Sequence, residues 1–398
     1  MGDEKHDAIA LKQSRLHEVP NGWRLGTVGN NCWIRDELRF PINEIERQRT
    51  QGPYPYYGPT SIVGYIKEWR VEGTYALIGE DGDHFLKFSD RPMTQLATGK
   101  FNVNNHAHII GGTERCSPEW FFHYFMHRDI TNLLSRQGAG RYKLTKATLE
   151  KLPILLPPLP EQRKIADILG TWDEAIALTA RLIAAKGQRK RGLMQQLLAG
   201  RRRFPGFEEA WQTVTIGDFL TESRSVGNDG RTARKITVKL YGKGVVPKQE
   251  KLLGSENTNY YRRTAGQFIY SKLDFLNGAF GIVPPALDGY ESTLDLPCFD
   301  FTGDMLPQFF LYFVSRESFY SRYAGAAIGG RKARRIQVGE FLSSTIEIPG
   351  REEQERITEV LACADEELRL LDRKLALLRQ QKGGLMQQLL TGKVRVTP

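Results

Sequence analysis

Gly192-Leu193-Met194-Gln195-Gln196-Leu197-Leu198 recurs without a change as Gly384-Leu385-Met386-Gln387-Gln388-Leu389-Leu390, an offset of 192 in a chain of 398 residues. Carried upstream without a gap, that offset aligns Pro157, Glu161, Gln162, Ile165, Leu169, Asp173 and Glu174 with Pro349, Glu353, Gln354, Ile357, Leu361, Asp365 and Glu366. About 20 of the 44 positions between Pro157–Gly200 and Pro349–Gly392 are identical, so the chain holds an internal duplication. The regions before these segments are far less alike. Two weak anchors remain there: Trp23 after Pro20-Asn21-Gly22, and Trp211 after Pro205-Gly206-Phe207. The layout is variable block, shared segment, variable block, shared segment. It implies that the shared segment does one job twice, while each block does its own version of another.

The shared segments read as long helices. Apolar residues fall at Ile357, Leu361, Ala364, Leu368, Leu371, Leu375, Leu378 and Leu385, in steps of three and four that mark a coiled-coil seam. The first copy keeps the pattern, with interruptions, at Ile165, Leu169, Trp172, Ile176, Ile183 and Leu193. Pro157, Pro158 and Pro160 precede Glu161, and Pro349-Gly350 precede Glu352 and Glu353, so acidic side chains sit at the positive end of each helix dipole. Gly200 and Gly392 supply the stops. At about 1.5 Å per residue the first segment would span roughly 58 Å. An apolar stripe of that length needs a partner, and the nearest is its own repeat. Blocks held at opposite ends require the two helices to run antiparallel, with Ile165, Leu169, Ile176, Leu193, Leu361, Leu368, Leu375 and Leu385 in the seam. Gly192 and Gly384 mark either close helix approach or a local break. On the helices alone, an unrelated dimerisation coiled coil is the competing reading.

The blocks carry short β-like runs such as Ser61–Ile66, Tyr75–Ile78, Gln267–Tyr270 and Phe280–Val283, with helices expected around Glu119–Ser135 and Pro307–Tyr323. That mixture indicates compact α+β modules. Searches for chemistry find no GxxxxGK[ST] phosphate loop and no GxGxxG after a strand. His106 and His108 lack neighbouring Cys or carboxylate companions in sequence, which favours packing or hydrogen bonding over metal ligation. Cys32, Cys116, Cys298 and Cys363 are scattered with no CxxC pair, which fits a reducing cytosol. No apolar run approaches the roughly 18 residues of a membrane span, and the polar start Met1-Gly2-Asp3-Glu4 tells against a secretory signal. Lys plus Arg exceed Asp plus Glu by 56 to 46, a net +10 that hints at a polyanionic partner.

Basic clusters sharpen the hint. Arg331-Lys332-Ala333-Arg334-Arg335 follows the glycine-rich run Gly325–Gly330, and Arg141 and Lys143 follow Gly138-Ala139-Gly140 at the corresponding place in block one. Glycine lets the backbone come close to another chain, and flanking cations neutralise phosphates. Arg189-Lys190-Arg191 and Arg201-Arg202-Arg203 read first as solvated cations near a helix end.

With these elements the chain resembles the specificity (S) subunits of type I restriction–modification systems. The resemblance rests on Leu156-Pro157-Pro158-Leu159-Pro160-Glu161-Gln162, on the Gly-Leu-Met-Gln-Gln-Leu-Leu repeats and on the block–helix–block–helix layout. Block phrases such as Pro55-Tyr56-Tyr57-Gly58, Asn104-Asn105-His106-Ala107 and Phe280-Gly281-Ile282-Val283-Pro284 also fit. It implies an α+β protein in which two globular target-recognition domains are separated by two long antiparallel helices forming a coiled coil, with pseudo-two-fold symmetry. The corresponding boundaries are 1–155 and 205–346 for the domains, and 156–204 and 347–398 for the helices. The implied function is non-catalytic, sequence-specific recognition of bipartite double-stranded DNA, one half per domain, with the helices setting the spacer. Implied partners are two modification subunits that methylate adenine and two restriction (translocase–nuclease) subunits, in the cytoplasm. No cofactor is expected on this chain; S-adenosylmethionine, ATP and Mg belong to the partners. The leading DNA contacts from composition and context are Arg141, Lys143, Arg331, Lys332, Arg334 and Arg335, with Tyr56, Tyr57, Asn104 and Lys272 as further candidates. The second segment starts Pro349-Gly350-Arg351-Glu352-Glu353-Gln354 without the proline-rich run, so a shifted loop is expected there. Two alternatives stand: an S-like subunit of a type II system with a fused nuclease–methyltransferase, and a coiled-coil scaffold that binds no DNA.

Overall fold

The structure is a computed structural model that describes residues 19–136, 142–249, 254–325 and 335–397. The repeat is expressed as two helices of 39 residues each, Leu159–Leu197 and Arg351–Leu389. They start at equivalent positions. The shifted loop expected before the second helix is therefore not found: Gln162 N donates to the Pro158 carbonyl at 3.0 Å, and Gln354 N donates to the Gly350 carbonyl at 3.1 Å. Glycine stands where the first copy has proline, yet the path is held from outside. Each helix follows a short strand, Pro153–Leu156 or Thr345–Ile348, paired antiparallel with Arg24–Thr27 or Gln212–Thr215 respectively.

Both helices end on a left-handed glycine, Gly200 at φ +64° and Gly392 at φ +70°, a conformation that other residues adopt at a cost. A Cβ at Gly392 would also lie 2.5 Å from Pro20 Cγ. Gly192 and Gly384 do neither thing expected of them. The helices continue through both, and a Cβ built there meets nothing within 4 Å among the described residues.

The chain divides into unit 1 (Met1–Ala180 with Lys374–Pro398) and unit 2 (Arg181–Arg373), so each unit owns one block and half of each long helix. In unit 1, Ile165 and Leu169 from the first helix share a core with Leu385, Met386, Leu389 and Leu390 from the second. In unit 2, Leu193, Leu197 and Leu198 meet Ile357 and Leu361. The start of one helix packs on the end of the other in both cases, which is antiparallel pairing. Less-exposed positions along the second helix run Leu361, Ala364, Leu368, Leu371, Leu375, Leu378, Lys382, Leu385 and Leu389, the 3–4 alternation of a heptad seam. Ile176, Leu193, Leu368, Leu375 and Leu385 are half-buried, and Lys382 occupies a seam position. None of the described helices is long and apolar enough to cross a membrane.

The block of unit 1 is built on a six-stranded sheet in the order Trp33–Ile34, Ala107–Gly111, Val71–Gly79, Thr94–Val103, Gln51–Tyr57, Ile62–Ile66. Neighbours are antiparallel except Gln51–Tyr57 beside Thr94–Val103. The helix expected around Glu119–Ser135 covers only Pro118–Phe125. It stops because the next carbonyl, that of Met126, accepts from Met93 N at 2.9 Å and ties the chain to the sheet.

The block of unit 2 uses smaller sheets. The largest runs Leu220–Ser223, Cys298–Phe301, Phe268–Tyr270, Phe280–Ile282. Its core is aromatic: Phe268 lies within 6.4 Å, ring centre to ring centre, of Tyr270, Phe280, Phe299, Phe310 and Phe341. Here the helix expected over Pro307–Tyr323 is broken into Pro307–Val314 and Glu317–Tyr320. The Ser315 hydroxyl, at the break, bonds back to the Leu311 carbonyl at 2.6 Å.

Candidate nucleic-acid interface and its supporting frame

Each block is seated on the helices by the same three contacts, made twice. In unit 1, Trp23 Nε1 donates to Glu161 Oε2 at 3.2 Å, and Arg395 grips both Glu161 oxygens at 2.8 Å. In unit 2, Trp211 Nε1 donates to Glu353 Oε2 at 3.1 Å, and Arg203 grips that carboxylate at 3.0 and 2.8 Å. Both glutamates are almost fully buried, so the bidentate guanidinium supplies the charge compensation that burial demands. Burial on its own would raise the Glu161 carboxyl; Arg395, the Val396 N–H and Trp23 outweigh it and hold the group below the usual carboxylate range. Arg203 is thus not the solvated cation expected from sequence. The signal was available, because Arg203 and Arg395 stand at the repeat offset, three residues beyond the matching glycines.

The adjacent glutamine fixes the helix of each block. Gln162 Oε1 accepts from Ser117 N at 2.9 Å while its Nε2 donates to the Pro157 carbonyl at 2.8 Å. Gln354 repeats this with Leu306 N at 3.0 Å and the Pro349 carbonyl at 3.0 Å. Ser117 and Leu306 are the N-caps of Pro118–Phe125 and Pro307–Val314. One buried amide therefore ties the start of a long helix to the start of the block's own helix. A second duplicated pair lies further along: Lys382 Nζ reaches Asp173 Oδ1 at 2.5 Å in unit 1, and Lys190 pairs with Asp365 in unit 2. The block contributes a third side chain, and here the copies differ. Tyr312 donates to Asp365 Oδ2 at 2.8 Å, whereas His123 Nδ1 stops 4.0 Å from Asp173 Oδ2. His123 Nδ1 and Asp173 Oδ2 are both buried without a hydrogen-bond partner, beside an open cavity of about 1100 Å³.

The candidate contacts scatter more than the sequence suggests. Arg141, Arg331, Lys332 and Arg334 lie outside the described residues. Arg335 is half-exposed, 3.3 Å from Asp295. Lys143 is half-buried with its Nζ 3.3 Å from Glu80, which also holds Arg39 at 2.8 Å. Tyr56 is corrected to a core residue: it is 1% exposed, its hydroxyl donates to the Phe40 carbonyl at 2.7 Å and accepts from Ile42 N at 3.2 Å. Alternation along the strand turns Tyr57 to the other face, half-buried against Phe101. Asn104 spends its Oδ1 on His106 N, at 2.9 Å, within a turn. Lys272 is half-exposed. Carboxylates do approach both histidines in space: His106 Nδ1 is 3.0 Å from Asp81, and His108 Nδ1 is 2.7 Å from Asp36 while its Nε2 lies 2.8 Å from the Leu144 carbonyl. Among the described residues no group of three His, Cys, Asp or Glu could hold a metal ion.

Residues 21–185 match the model of the type I restriction modification DNA specificity domain. A putative type I restriction enzyme specificity subunit of Haemophilus influenzae is 36% identical over 150 residues, 36% of this chain and 37% of that protein. The MjaVIII specificity subunit of Methanocaldococcus jannaschii is 24% identical over 419 residues, covering 97% of this chain and 96% of that one. The chain is thus similar to type I restriction specificity subunits, through a matched domain over residues 21–185 and more distantly over nearly its whole length. The fold agrees across nearly its whole length with that of the type I S subunit from M. genitalium, at TM-score 0.62 and 13% identity over 94% of this chain and 96% of that one. A chain from a study of the assembly and conformational transition of the type I restriction–modification system matches at TM-score 0.55 and 17% identity, over 95% of this chain and 100% of that one. Within this fold, the Trp–Glu–Arg and glutamine contacts belong to the frame that the chain repeats, and the two copies differ most in the blocks.

Proposed function

We propose that this chain is the DNA-recognition subunit of a type I restriction–modification complex, and that it carries no catalytic centre itself. Each block reads one half of an asymmetric bipartite target in duplex DNA, and the antiparallel helices set the spacer. Phosphate contacts supply most of the affinity and side chains in the major groove supply the choice of bases. Two modification subunits, bearing S-adenosylmethionine, methylate adenine in the chosen site; two restriction subunits use ATP and Mg to translocate and cut. Leu178, Leu182, Leu370 and Leu377, exposed on the long helices outside the seam, give those subunits apolar footholds.

The observation that carries this reading is a frame whose Trp–Glu–Arg, glutamine and Asp–Lys contacts are made twice, under two blocks whose sheets differ. A scaffold without DNA would have no use for two unlike heads on seats that share these contacts. The test is binding of the chain, with its modification partner, to duplex DNA between about 50 and 200 mM salt. A protein that neutralises several phosphates loses affinity steeply across that range. Binding that is absent, or indifferent to salt, would remove DNA from the account.

A further inference from the structure

Among the described residues Tyr241 is the only non-glycine with a positive φ, at +58°. A bulky side chain pays for that backbone, yet here it gains no burial, because Tyr241 is 69% exposed. The residue sits in the loop that joins Ile236–Val238 to Val245–Pro247. Lys239 N bonds the Gly244 carbonyl at 2.9 Å and closes the loop at its base. Tyr241 N and Gly242 N each donate, at 2.9 Å, to the carbonyls of Asn277 and Gly278. The backbone is thus pinned from both sides while five successive positions, Lys239-Leu240-Tyr241-Gly242-Lys243, face solvent. Neither lysine has an ion pair among the described residues. A glycine at 241 would relieve the backbone, and among the described residues no side-chain hydrogen bond or ring stacking of Tyr241 offsets its cost.

We infer that this loop is a DNA-contacting element of the second block, with the Tyr241 ring against bases or sugars in a groove and Lys239 and Lys243 on the flanking phosphates. A loop pinned at its backbone that presents an aromatic face between two cations, unpaired among the described residues, matches the two chemistries a duplex offers, apolar base and sugar edges between anionic phosphates. Preorganisation matters because a loop already held in its bound shape loses little freedom on docking. The same surface on a protein-binding loop would call for acidic groups on the partner, and the chain's net +10 weighs toward the polyanion. This inference rests on the recognition reading above.

The test uses the full chain in complex with its modification subunits and a duplex carrying the target found by methylome sequencing. Y241G is expected to raise Tm, since glycine accepts the φ, while lowering affinity about tenfold and loosening base preference in one half-site only. Y241F, which keeps the ring, should behave as wild type. K239A with K243A should reduce the slope of log K against log salt by roughly 2, about 0.9 for each phosphate no longer neutralised. A Y241G complex with wild-type affinity and base preference would overturn the inference. So would a Y241G chain that loses its modification subunits yet keeps its half-site preference, which would make the loop a protein-docking element. A wild-type complex with no site-specific, salt-dependent binding would instead sink the recognition reading, and the loop assignment with it.

Discussion

Units 1 and 2 share an Asp–Lys pair between their long helices, but the block of unit 2 completes it with a tyrosine and that of unit 1 leaves it open. Tyr312 satisfies Asp365, and Lys190 Nζ lies 5.4 Å from the centre of the same ring. His123 falls short of Asp173, and two buried polar atoms go unpaired. At this Asp–Lys contact the duplication kept the part made by the helices. What drifted here is the side chain that the block adds, His123 against Tyr312, whereas the block tryptophans Trp23 and Trp211 kept their contact. The difference also makes unit 1 sensitive to acid in a way unit 2 is not. Burial, and then the Lys382 charge, push the His123 imidazole down to about 3.

The largest effect should come from the seats the units have in common. E161A leaves Arg395 and Trp23 facing an empty pocket, and E353A does the same to Arg203 and Trp211. Breaking a fully buried pair costs about 3–5 kcal/mol, and the partly exposed arginines reduce that to roughly 2–3 kcal/mol. Hydrogen exchange should show E161A loosening Arg24–Thr27 and sparing Gln212–Thr215, with E353A reversed; equal loosening of both by either variant would contradict the seats as separate. Acid should act on the Glu161 seat in the same direction. Its carboxyl is depressed in the folded state, so its stabilisation is present above an unfolded pKa of about 4.3 and is lost as pH falls through the lower folded value.

Next come substitutions at the point of difference. Y312F removes the donor to a part-exposed Asp365 oxygen and should cost about 1 kcal/mol in denaturant unfolding. H123Y carries the tyrosine solution into unit 1, where the adjoining cavity leaves room, and should gain about 1 kcal/mol. A histidine with a lowered folded pKa stabilises above its unfolded value of about 6.5 and loses that contribution as pH falls toward the folded one. Unit 1 should therefore weaken as pH falls from about 6.5 to about 5, and H123Y should flatten that slope. An unchanged slope in H123Y would mean another group titrates. The smallest effect concerns the caps. Ser117 Oγ accepts from Trp120 N at 3.1 Å, while Leu306 caps with no side chain; S117A should cost about 1 kcal/mol, measured by thermal unfolding.

The long helices and their antiparallel pairing were legible because a heptad stripe and an exact repeat both report on burial directly. Trp23 and Trp211 were visible only as weak anchors, since a tryptophan's partner across 138 residues leaves no periodic trace. Arg203 reads as solvated in the sequence because a cation after a helix gives no sign of the buried carboxylate it meets. Tyr56 and Tyr57 show the limit at the surface: two adjacent tyrosines read alike, and strand alternation sends one into the core. Tyr241 leaves no signal in the sequence, because a left-handed tyrosine next to Gly242 is spelled like any turn.

The central claim is that two unlike readers act independently across a gap set by the helices. Methylome sequencing of a host that carries this chain and its modification partner tests it, first as wild type and then with one heptad deleted from each long helix at facing positions. One heptad is about 10.5 Å of helix, or roughly 3 base pairs. The account predicts an asymmetric two-part target whose halves both persist while the gap contracts by about that amount. An uninterrupted target, or half-sites that themselves change on shortening, would contradict it.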